Sequence, residues 1–79
     1  MSYAITSLKV FDGEVMASAQ DGTYVYLGTN KGDVIRYTIA DGVVATLTNV
    51  GGNIKSMSLY SGLLYVGIDG GKLVSVATT

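Results

Sequence analysis

Short apolar runs broken by glycine and Asp-Gly pairs recur along the whole chain, and no window of helical length sustains a 3.6-residue apolar stripe. The runs are rich in Val, Ile, Leu, Tyr and Thr and fall at residues 4–10, 15–19, 24–29, 34–39, 43–48, 54–59, 63–68 and 73–77. β-Branched and aromatic runs of this length, joined by short turns, predict consecutive antiparallel strands in a meander and no helix.

The chain also matches itself at an offset of 39. Tyr26, Gly28 and Gly32 fall on Tyr65, Gly67 and Gly71, while Leu8, Gly13 and Val15 fall on Leu47, Gly52 and Ile54. Identities are few, yet apolar, glycine and turn positions agree throughout, so the chain reads as one domain, 1–79, of two repeats at about 1–39 and 40–79.

The stretches 24–37 and 64–73 resemble the second and third blade strands of quinoprotein-type β-propellers. The docking tryptophan of that subgroup and its adjacent cysteines have no counterpart here. The resemblance implies an all-β fold of two four-stranded blades per chain. Small residues in 15–19 and 54–59 suit innermost strands crowded around an axis.

In that frame the chain begins on an outermost strand, 4–10, and stops one strand short of completing its second blade, a circularly permuted arrangement. The N-terminal strand of one chain is then expected to complete a neighbour's blade, closing a ring of identical chains. Six blades as a homotrimer is the favoured count, with a dimer or tetramer as the other possibilities. A monomeric small barrel or sandwich is the competing fold and leaves the repeat unexplained.

Size and composition favour self-association. A domain of 79 residues leaves much apolar surface in water, and the absence of cysteine and histidine removes the usual disulfide and zinc stabilisers. Residues are 48% hydrophobic and 14% charged, and the net charge of −1 has no basic cluster, which argues against nucleic acid or an anionic membrane as partner. The longest apolar run is too short to span a bilayer, and the N-terminus lacks the pattern of a signal peptide. A soluble, cytoplasmic protein is the expectation.

Little in the chain suggests catalysis. Without histidine the usual base of a nucleophilic triad is missing. Asp12, Asp21, Asp41 and Asp69 each precede glycine, where a turn role outweighs an acid–base one. No calcium loop, zinc ligand set or helix-opening phosphate loop is present, so no cofactor is expected.

What remains is loop surface, with Phe11, Asp12, Glu14, Asn30, Lys31, Asp33, Asn53, Lys55, Asp69 and Lys72 as candidate ligand-binding residues. Phe11 offers a ring to stack on a sugar, or a staple for its loop. Lys55 offers a basic ring around an axis, or a lysine reaching to solvent. Arg36 is expected to form an ion pair or to cover a tyrosine. The functional expectation is a non-enzymatic binding module, an oligomer repeating sites for a glycan or other small polar ligand. The alternative is a structural or protein-interaction ring, an assembly component or an engineered propeller.

Overall fold

The computed structural model describes Phe11 and residues 13–78. Seven strands follow in chain order: β1 (Val15–Gln20), β2 (Tyr24–Thr29), β3 (Asp33–Thr38), β4 (Val44–Asn49), β5 (Ile54–Tyr60), β6 (Leu63–Ile68) and β7 (Lys72–Ala77). They form two antiparallel meanders, a first sheet ordered β1-β2-β3-β4 and a second ordered β5-β6-β7. No helix among the described residues is long and apolar enough to cross a membrane.

Turn chemistry sets these boundaries. Between β1 and β2 the Asp21 carboxylate accepts hydrogen bonds from the Thr23 and Tyr24 N–H groups, and Gly22 takes a φ of 91°. Asp41 likewise accepts from the Val43 N–H between β3 and β4. The β5–β6 turn uses Ser61 at φ 55° and Gly62 at φ 81°, two positive values in succession, as a tight hairpin of right-handed twist requires.

The offset of 39 recurs in three dimensions. Asn30 donates its N–H to Glu14 as Asp69 does to Asn53, and Ile39 donates to Thr23 as Thr78 does to Gly62. A register irregularity between Val15 and Ala17 has its twin between Ile54 and Ser56.

The core forms where the two sheets meet. Tyr26 and Val34 of the first sheet pack with Ile54, Leu64, Val66 and Ile68 of the second, and β5 lies against β1 and β2. Gly28 permits the close approach: a Cβ there would stand 2.6 Å from Ile54 Cγ2 and 2.7 Å from Met57 Sδ, both inside van der Waals contact.

Two expectations are corrected. The second sheet has three strands among the described residues, not four, and the two sheets are open at their edges, so there is no closed propeller, no six-bladed trimeric ring and no display of circular permutation. The run at 4–10 lies outside the described residues. The error has a physical source: apolar and glycine spacing reports strand length, turns and faces, whereas closure depends on packing angles between sheets and on contacts that two sheets cannot supply by themselves.

Replacing Gly28 with Val is expected to force Ile54 or Met57 from its position and to cost about 1–3 kcal/mol, the usual range for overpacking. Urea unfolding followed by circular dichroism measures it.

Candidate functional site: an open face, an open edge and a groove

The loop residues singled out by sequence gather at one end of the molecule, around the β2–β3 and β6–β7 turns, with residues 50–53 running between the two sheets. Two of them are tied into the surrounding structure by side-chain hydrogen bonds. Asn30 Oδ1 accepts from the Glu14 N–H at 3.0 Å, and Asp33 Oδ1 accepts from Asn49 Nδ2 at 2.9 Å. Asn53 is half-buried, and its Oδ1 is buried without a hydrogen-bond partner among the described residues. Lys31, Lys55, Asp69 and Lys72 are exposed, Phe11 is half-buried, and Asp12 lies outside the described residues. Among the described residues no group of three or more acidic, histidine or cysteine side chains is placed to hold a metal.

Asn49 was not signalled by sequence. Its amide also donates to the Lys31 carbonyl at 3.0 Å, and its Oδ1 accepts from the Gly51 N–H at 2.8 Å, so it ties the β2–β3 turn to the start of the link between sheets. Its counterpart at the 39-residue offset is Val10, so the repeat pattern concealed a polar role.

Three features elsewhere stand out. First, two residues buried in the first repeat have exposed counterparts in the second. Val34 is fully buried while its counterpart Leu73 is 70% exposed; Tyr26 is 1% exposed against 36% for Tyr65. On the opposite faces Ile54 is fully buried and Val15 is 45% exposed, while Thr29 and Ile35 of the first sheet are buried.

Second, β7 is an edge among the described residues. The Thr78 N–H points inward to the Gly62 carbonyl, so antiparallel alternation turns the N–H groups of Leu73, Ser75 and Ala77 outward. In the first sheet the corresponding N–H, that of Thr38, is satisfied by the Val43 carbonyl.

Third, a groove of about 670 Å³ runs between Arg36, Leu47 and Val50 on one side and Val74, Val76 and Thr78 on the other. It is the space that a three-stranded sheet leaves open opposite the fourth strand of its neighbour. Arg36 covers Tyr24, its guanidinium carbon 4.7 Å from the ring centroid, as expected from sequence, and its Nε is buried without a hydrogen-bond partner among the described residues.

No protein-family model and no curated protein matches the chain. Among solved structures, that of the computationally designed Ika4 protein is similar, with a TM-score of 0.83 and 15% identity over 99% of this chain and 49% of that one. The chain thus spans about half the length of that protein, and at this identity the likeness concerns the fold alone.

The resemblance to quinoprotein-type propeller blades is therefore corrected: the sheets are open and the similar structure belongs to a designed protein. The lectin-like binding module for glycans or small polar ligands is corrected with it. There is no closed ring to repeat a site, and the groove lies along the flank of the sheets rather than among the candidate loops.

Two measurements probe the polar framework. The N–H groups of Tyr24 and Thr23 hold the Asp21 carboxyl below its ordinary value of 3.8. A carboxylate lowered on folding stabilises the native state above its unfolded value, and that contribution is lost as pH falls through the folded one. Asp21→Ala should therefore lower the urea midpoint at neutral pH, and the gap from the parent should narrow below pH 3.8. Asn49→Ala removes three hydrogen bonds at an exposed site and should cost about 1–2 kcal/mol in the same assay.

Proposed function

We propose that the chain is a structural, self-associating module that acts as a building block rather than as a catalyst. The observation that carries this is the apolar face that the second sheet leaves open where the equivalent face of the first sheet is buried. Inside one chain, the face bearing Tyr26 and Val34 is covered by the face bearing Ile54, Leu64 and Val66. The second sheet presents the counterpart of the first of these faces, with Leu73 and Tyr65 open to solvent. The corresponding second face of the first sheet is not open in the same way, since Thr29 and Ile35 on it are buried.

Leu63, Tyr65 and Leu73 share the open face of the second sheet, and a second copy is the partner that would cover it. Burying a leucine-sized side chain gains roughly 1.5–3 kcal/mol, so several such residues supply the driving force that a domain of this size lacks by itself.

The likeness to a designed protein of about twice the length supports a structural role over ligand chemistry. The absence of histidine and cysteine is consistent with a non-enzymatic protein.

Light scattering on the purified chain is expected to give a mass that is a multiple of 8.2 kDa at micromolar concentration. Leu73→Lys should weaken association at least about tenfold, the equivalent of 1.4 kcal/mol. A parent chain that is monomeric under these conditions contradicts the proposal.

A further inference from the structure

An aspartate followed by glycine carries its own electrophile and nucleophile. The side-chain carboxyl carbon stands near the next backbone nitrogen, and glycine puts no side chain in the way. The described residues hold three such pairs, Asp21-Gly22, Asp41-Gly42 and Asp69-Gly70. Folding treats them differently.

At the first pair the Asp21 carboxylate accepts from the N–H groups of Thr23 at 3.0 Å and Tyr24 at 2.9 Å. These bonds keep it ionised to lower pH, and an ionised carboxylate is the poorer electrophile. At the second pair both reactants are held: Asp41 Oδ1 accepts from the Val43 N–H at 3.0 Å, and the Gly42 N–H donates to the Thr38 carbonyl at 2.8 Å. At the third, neither the Asp69 carboxyl nor the Gly70 N–H makes a hydrogen bond among the described residues. The repeat explains the difference. Gly70 is the counterpart of Lys31, whose N–H is held by Thr29 Oγ1 at 3.3 Å, and the counterpart of Thr29 is Ile68, which has no hydroxyl. Asp69, Gly70 and Gly71 are all exposed. Asp69 Oδ1 lies beside Gly52, where the absence of a Cβ leaves the carboxyl room to turn.

We propose that Asp69 is a site of spontaneous isoaspartate formation, with the β6–β7 turn isomerising ahead of the β1–β2 and β3–β4 turns. The Gly70 nitrogen bonds to Asp69 Cγ, and the carboxyl hydroxyl leaves with the N–H proton as water, closing a succinimide ring. Water then adds at the Asp69 backbone carbonyl carbon and breaks its bond to the Gly70 nitrogen. The main chain now runs through Cβ and Cγ of residue 69, one methylene longer, and the former backbone carbonyl is a free carboxylate. No oxidant or reductant enters. The lengthened turn lies between Ile68 and Lys72, which pair at the mouth of the hairpin, so the change falls where the β6–β7 register is set. The enzyme class suited to the product is a methyltransferase that esterifies the exposed α-carboxylate of isoaspartyl residues.

Incubation of the folded chain at mildly acidic pH, followed by proteolysis and peptide mapping with electron-transfer fragmentation, locates isoaspartate residue by residue. Formation at position 69 is expected to be at least about fivefold faster than at 21 or 41, the rate equivalent of one intact hydrogen bond. In urea, where no turn holds any of the three pairs, the rates should converge. Asp69→Glu should abolish the modification at this position, because glutamate closes the larger imide ring far more slowly. Equal rates at the three positions in the folded chain, or faster reaction at 21 or 41, overturn the proposal. A lead for position 69 that persists unchanged in urea overturns it as well, since neighbouring residues rather than the turn would then set the rate.

Discussion

Everything in this fold depends on the seating of Ile54 and Met57 over Gly28. The missing side chain at Gly28 lets β5 approach β2 closely enough for Tyr26 and Val34 to meet Leu64, Val66 and Ile68. Neither sheet has a core of its own, and each has one apolar face that the other covers. A three- or four-stranded meander is stable only when such a face is covered, so the inter-sheet contact is what turns two hairpin stacks into one folded unit.

The same contact explains the surface. The second sheet buries the face bearing Ile54, Leu64 and Val66 and leaves the other open, which is why Leu73 and Tyr65 lie exposed where their counterparts Val34 and Tyr26 do not. An exposed apolar face is an aggregation hazard unless covered, and another copy over Leu63, Tyr65 and Leu73 covers it.

Much of the local structure was legible in the sequence. Apolar runs bounded by Asp-Gly pairs located the strands to within about a residue at each end, because Asp21 and Asp41 do what aspartate before glycine does, accepting hydrogen bonds from the N–H groups that follow. Arg36 over Tyr24 was legible for a similar reason: a long cation beside an aromatic cross-strand neighbour has few better places to lie. Closure was not legible, since Gly28 and Gly67 look alike in sequence although only Gly28 receives a neighbouring sheet. A Cβ at Gly67 would meet Ser56 of the adjacent strand. Asn49 was missed because its role depends on where Lys31, Asp33 and Gly51 come together, which no spacing along the chain encodes. The same holds for Asn30, whose Oδ1 accepts from the Glu14 N–H across two loops that no spacing brings together.

Association of copies over the open face of the second sheet, which bears Leu63, Tyr65 and Leu73, is the central claim, and sedimentation velocity of the parent beside Leu73→Lys tests it most directly. The parent should sediment above monomer mass at micromolar concentration, and the variant should shift toward monomer. A parent that sediments as a monomer would contradict it.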